Sequence, residues 1–158
     1  MSRNIVLLDS GPLSWVINLR SKKPDVIRCS AWFRRILNNY TVMIPEIADY
    51  EVRRELIHQK LEASLKRLDE LKDLNDVVYQ PITTEIMNKS ANLWGWARST
   101  GQSTAQSTAL DGDVIVAATA IITAQTSENQ VIIATTNVKD LQRYYTNTYH
   151  WHDDYWAI

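Results

Sequence analysis

Four short, largely apolar runs constrain this chain more than any other feature: the continuous Ile5–Leu8, then Tyr40–Ile44, the weaker Val77–Tyr79, and Val131–Ala134. A run that is apolar at successive positions suits a strand buried on both faces of a sheet. Between the runs lie stretches with helical spacing. Asp9-Ser10-Gly11-Pro12 is a turn that can open a helix. Asp25–Asn39 carries Val26, Ile27, Trp32, Phe33, Ile36 and Leu37 on one side. Glu46–His58 and Glu62–Leu74 follow, the latter with Leu61, Leu65, Leu68 and Leu71 at steps of three and four. Thr83 caps a helix that ends near Thr100, with Gly101 just beyond. Asp111–Thr126 is an Ala-rich helix, and an edge strand is expected near Tyr149–Trp151. This alternation predicts an α/β fold of three layers, with a mainly parallel central sheet flanked by helices. In such folds ligands sit at the carboxyl ends of the strands, beside the point where strand order reverses.

Composition narrows the class. At 158 residues the chain fits one domain, 1–158, large enough for a sizeable core. The 45% hydrophobic and 22% charged residues are ordinary globular values, and four Gly with four Pro leave little for linkers. The formal net charge of −1 gives no global attraction to nucleic acid or anionic membrane. The single cysteine, Cys29, lies among Val26, Ile27, Ala31 and Trp32 and is expected as a core thiol, in keeping with a cytoplasmic protein. The first apolar run is too short for a signal peptide, and no segment approaches a membrane span. Gln102–Thr108 is expected as a polar loop.

Acidic residues come soon after three of the four runs. Asp9 ends the first. Glu46, Asp49 and Glu51 succeed the second. Thr135-Thr136-Asn137 and then Asp140 succeed the fourth, and the helix before that strand opens with Asp111-Gly112-Asp113. Carboxylates drawn to one edge of a sheet repel one another and are costly to desolvate without a compensating cation. An oxygen-rich set suits Mg²⁺ or Mn²⁺, which bind phosphates and activate water. Metal-assisted phosphodiester hydrolysis is the reaction class this implies. Each acid also has a simpler role open to it. Asp9 can cap the next helix. Glu46 and Asp49 can complement a helix N-terminus. Glu51 can belong to a solvated face with Glu55, Arg53 and Arg54. One of Asp111 and Asp113 can be a cap, and Asp140 can start the last helix.

Other phosphate and hydrolytic chemistries lack their motifs. The sequence has no G-x-x-x-x-G-K-[ST] loop, no G-x-G-x-x-G after a strand, no D-x-D at Asp9 and no G-x-S-x-G elbow. His58, His150 and His152 have no metal-binding helical spacing; His58 is expected at a helix end, and the other two beside the edge strand.

The segments IVLLDSGPL, IPEIADYEVRREL, LDGDVIVAATA and VIIATTNVKDL resemble, in order, the four motif regions of PIN-domain nucleases. They are similar in particular to VapC-type toxins of bacterial toxin–antitoxin pairs, over Ile5 to about Leu141. The resemblance implies a PIN-like (Rossmann-like) fold and a Mg²⁺- or Mn²⁺-dependent endoribonuclease, commonly a homodimer held inactive by an antitoxin protein. Matched by position, Asp9, Glu51, Asp113 and Asp140 are the catalytic, metal-binding acids, with Asp111 an extra acid that can assist the metal or cap the helix. Ser10 and Thr136 offer hydroxyls that can orient the carboxylates. Asn137 stands where many members have Asp, and Leu141 replaces the usual Phe.

Two further features bear on substrate. Arg20, Lys22, Lys23, Arg28, Arg34 and Arg35 form a locally basic segment that can hold an RNA backbone or simply face solvent. Tyr144, Tyr145, Tyr149, Trp151, Tyr155 and Trp156 crowd the last stretch of sequence. Such rings can stack on bases, but packing on the core or at an interface is the favoured reading. The alternative to an enzyme is a catalytically silent PIN-fold module that binds RNA or protein. All four matched acids are present, which favours the enzyme.

Overall fold

A computed structural model of the chain describes residues 2–102 and 111–157. Five strands, β1 (Ile5–Leu8), β2 (Thr41–Pro45), β3 (Val77–Gln80), β4 (Val131–Thr135) and β5 (Thr148–His150), form one sheet in the order β3-β2-β1-β4-β5. Every strand pair is parallel. The expected mainly parallel sheet is thus wholly parallel, including its edge. Three of the four runs lie in the interior strands β1, β2 and β4, where both faces are covered, whereas the run Val77–Tyr79 lies in the edge strand β3 and leaves Val78 exposed. Val6, Leu8, Val42, Ile44, Ile132 and Ala134 face one hydrophobic layer, whereas Leu7, Met43, Val131 and Ile133 face the other.

The first layer contains α1 (Ser10–Val16), α2 (Pro24–Ile36) and α4 (Glu62–Leu71). The second contains α5 (Thr84–Ser99), α6 (Gly112–Thr126) and the short α7 (Val138–Leu141). Between them, α3 (Glu46–His58) sends Ala48 and Val52 to the first core and Ile47 to the second. It therefore bridges the layers at the carboxyl end of the sheet. Seven consecutive residues of α6, Val114–Ala120, are buried, as its nearly all-apolar sequence requires. Cys29 is fully buried in the first core.

Local signals set most helix boundaries. Thr83 caps α5 by accepting from Ile86 N at 3.1 Å, and Gly101 beyond its end has φ of 71°. Pro12 occupies the third position of α1, where a missing N–H also costs no helical bond. Several expectations need correction. Helix α2 stops at Ile36 and α4 at Leu71, because Asn38, Asn39, Asp73 and Leu74 form the turns into the next strands. Ile27 is 53% exposed, since α2 rests on α1 and the sheet through Val26, Cys29, Trp32, Phe33 and Ile36. Leu61 is also exposed, whereas Leu68 and Leu71 are buried. The edge strand begins and ends one residue before the expected span, because Trp151 already turns inward. Asp140 is the third residue of α7 rather than its start. Apart from Gln102, the expected polar loop 102–108 lies outside the described residues.

The aromatic tail packs. Trp151 and Trp156 are each 3% exposed and meet Trp32 at ring-centroid distances of 6.2 and 5.4 Å. Trp156 also donates to His150 O at 2.8 Å, which fixes the final 3-10 turn against β5. His150 Nδ1 accepts from His152 N at 3.0 Å, so both histidines belong to this corner. Tyr155 stacks on Tyr149 at 4.0 Å and stays partly exposed.

Candidate acidic active site

Strand order reverses between β1 and β4, so a crevice is expected at their carboxyl ends. Asp9 is the residue after β1, and it is buried. One of its carboxylate oxygens accepts from Ser10 N at 2.8 Å and the other from Thr135 Oγ1 at 2.7 Å. Burial raises its pKa, and these two hydrogen bonds only partly oppose that rise. Asp9 is thus both the cap of α1 and a carboxylate fixed in one orientation.

Three further segments bring acids beside it. Asp111 caps α6, accepting from Asp113 N at 3.1 Å and Val114 N at 3.3 Å. Asp113, in the first turn of α6, has its carboxyl pushed up to about 7, first by burial and then by the charges of Asp9, Asp111, Asp140 and Glu51. Glu51 reaches the same place from α3. Burial and the charges of Asp9 and Asp111 raise its carboxyl, against the opposing pull of Arg54 at 3.9 Å. Asp140, on α7, accepts from Asn137 Nδ2 at 3.1 Å and lies 3.7 Å from Arg143. The four matched acids and Asp111 therefore share one electrostatic neighbourhood.

Other acids of the second segment go elsewhere. Glu46 accepts from Tyr79 Oη at 2.9 Å and Ile82 N at 2.8 Å, which ties the start of α3 to the end of β3. Asp49 points away from Glu51, toward α4. It meets Arg53 at 2.8 Å and Lys72 at 3.1 Å. Burial works to raise its carboxyl, but the hydrogen bonds and charges of Arg53 and Lys72 prevail and hold it below its ordinary value.

The expected helper groups divide differently. Ser10 contributes its backbone N–H to Asp9. Thr136 is exposed, and its hydroxyl stands 2.5 Å from where a β-carbon on Gly11 would lie. The hydroxyl that grips Asp9 is Thr135, fully buried, which also accepts from Asn137 N at 2.8 Å. Sequence reading missed Thr135. The signal was the register: Leu8 pairs with Ala134, so the next residues of the two strands, Asp9 and Thr135, stand side by side. Of the basic segment, Arg20, Lys22 and Lys23 lie between α1 and α2, whereas Arg28, Arg34 and Arg35 lie along α2; all are exposed. None is among the charges that shift Glu51 or Asp113.

The donor set consists of hard oxygens, and their mutual elevation is the condition a divalent cation relieves. Among the described residues, however, no three acid, histidine or cysteine side chains close on one point as a ready-made metal cage. Mg²⁺ and Mn²⁺ sites commonly use one or two carboxylates with retained waters, so the chemistry fits without complete closure.

Neither a protein-family model nor a curated protein matches the sequence. Solved structures do match the fold. VapBC2 from Rickettsia felis, bound to a DNA fragment from its promoter, aligns with a TM-score of 0.70 and 16% identity over 93% of this chain and 98% of that one. VapBC-1 from nontypeable Haemophilus influenzae gives 0.67 and 16% over 94% and 99%. A toxin–antitoxin complex from Klebsiella pneumoniae gives 0.57 and 18% over 94% and 98%. Over nearly its whole described length, the chain has the PIN-like α/β fold of chains in these assemblies.

Proposed function

We propose that this chain is a metal-dependent endoribonuclease, the toxin component of a toxin–antitoxin pair, that hydrolyses RNA phosphodiesters at an acidic Mg²⁺ or Mn²⁺ site. The carrying observation is the gathering of Asp113 with Asp9, Asp111, Asp140 and Glu51 at the sheet's switch point, where burial first, and then their charges, push its carboxyl up to about 7. Asp9, Glu51, Asp113 and Asp140 would hold the ion, with Asp111 adding charge from the cap of α6. When bound there, the ion supplies neutralising charge and an acidified water. Thr135 keeps Asp9 in one orientation, and Asn137 does the same for Asp140. Near neutral pH Asp113 can hold or release a proton in the ion-free protein.

An antitoxin partner is supported by the assemblies that share the fold and by a cleft of about 570 Å³. Its walls join Leu19, Leu56 and Leu61 to a rim on which Arg20, Lys60, Lys66 and Arg67 outnumber Glu62 and Glu70. An acidic, amphipathic segment suits that lining. A homodimer in a cytoplasmic setting completes the reading. No helix among the described residues is long and apolar enough to cross a membrane.

The second reading, a silent module binding RNA or protein, is favoured by the lack of a ready-made metal cage among the described residues. Purified protein, free of any antitoxin, should be incubated with structured and unstructured RNA in Mn²⁺, Mg²⁺ or chelator. Cleavage should require metal and be lost in Asp9→Asn and Asp113→Asn. Metal-independent cleavage, or full activity in a folded variant, refutes the assignment. Failure to cut any RNA favours the silent module. A small antitoxin-like reading frame beside the gene would support the partner.

A further inference from the structure

We propose that Gly112 is a positioning residue: its missing side chain leaves the slot over the first turn of α6 in which the Glu51 carboxylate lies. A β-carbon at Gly112 would stand 2.8 and 2.9 Å from the two carboxylate oxygens of Glu51 and 3.0 Å from its Cδ. Those distances are too short for non-bonded carbon and oxygen. Gly112 does not have the positive φ seen at Gly101, so its backbone gives no reason to exclude alanine. Nor does helix formation, since alanine is the better helix former by up to about 1 kcal/mol. What glycine provides here is space.

That space matters because it lets an acid from α3 approach an acid on α6. Glu51 is half-buried, and among the described residues Arg54 lies 3.9 Å from its carboxylate. With Gly112, the carboxylate lies against the helix N-terminus between Asp111 and Asp113, where the macrodipole favours negative charge. With any larger residue, the clashing atoms are the far end of a flexible side chain, so Glu51 yields rather than the backbone. The fold would survive while Glu51 left its place. Gly95, on α5, supplies a control, because a β-carbon there meets nothing within 4 Å.

The inference rests on the reading of Glu51 as a cation-binding acid, and its test separates the two. Gly112→Ala, Gly95→Ala and the double variant Gly112→Ala/Glu51→Asp should be compared with the parent by thermal unfolding, Mn²⁺ titration calorimetry and crystallography. Gly112→Ala should unfold no earlier than the parent yet bind Mn²⁺ about 10-fold or more weakly. Gly95→Ala should bind as the parent does. Shortening Glu51 by one methylene in the double variant should recover part of the affinity. Parent-like Mn²⁺ binding by Gly112→Ala, or its failure to fold, overturns the proposal. If the parent itself binds no Mn²⁺, the cation reading fails alone. Gly112 is then judged by the crystal structure of Gly112→Ala: a displaced Glu51 carboxylate supports the role, and an unmoved one refutes it.

Discussion

Asp113→Asn removes one charge from the most crowded carboxyl of the site while keeping its shape. A carboxyl moved from an ordinary 3.8 to about 7 prefers its protonated form, in the folded chain, by about 4 kcal/mol. The solvent that reaches this half-buried side chain screens the figure to about 2 kcal/mol. Losing a negative charge from the first turn of α6 costs about 0.5 kcal/mol of macrodipole interaction. The variant should therefore be more stable than the parent by about 1.5 kcal/mol at pH 8, or about 3–6 °C in Tm for a chain this size. The sign follows from the raised pKa. Between 3.8 and 7 the folded parent binds more protons than the unfolded one, so its stability falls as pH rises through that window and levels off above it. Asparagine does not titrate, so the variant's advantage should be near zero at pH 4, grow to pH 7 and then stay constant. Thermal unfolding of both proteins in chelator, from pH 4 to 9, reads this directly. A variant no more stable than the parent at pH 8, or a difference independent of pH, would refute the idea that burial and the neighbouring acids disfavour the ionised Asp113.

Thr135→Val removes the donor to Asp9 and leaves Asn137 N without its buried acceptor. It should cost about 1–3 kcal/mol in urea unfolding and weaken Mn²⁺ binding about 10-fold; an effect on stability alone would deny Thr135 a role in orienting Asp9. Trp156→Ala opens a cavity beside Trp32 and Tyr40 and should lower stability by about 3–5 kcal/mol without changing RNA affinity at temperatures where it is folded. Weakened RNA binding with unchanged stability would instead make the tail a base-stacking surface.

The interior strands were legible because burial on both faces leaves its mark as a run of successive apolar residues. Helix α3 was legible to both ends for a related reason, since Pro45 closes one element and opens the next. The location of the candidate site followed from topology, as Asp9 and Asp140 could not leave the carboxyl edge. Selection among neighbouring residues was harder. Asp49 and Glu51 are two positions apart on one helix, and only the packing of α4 on one side and α6 on the other separates an ion-pair partner from a site acid. Thr135 and Thr136 are adjacent and chemically identical. Their difference is a strand register, which depends on residues more than a hundred positions away. Ile27 shows the reverse limit, an apolar residue at helical spacing that tertiary packing leaves in water.

The pairing of β1 with β4 also governs when the candidate site can assemble. Asp9 lies near the start of the chain, but its partner Thr135 and the acid Asp140 lie near the other end, and Trp156 completes the first core later still. A ribosome making this sequence would release β1, β2 and β3 with the central strand still lacking one neighbour. Contacts of such long sequence separation form late and slowly. The acids would thus remain apart until β4 and α7 have been made. The candidate site is among the last features of the fold that topology allows to form.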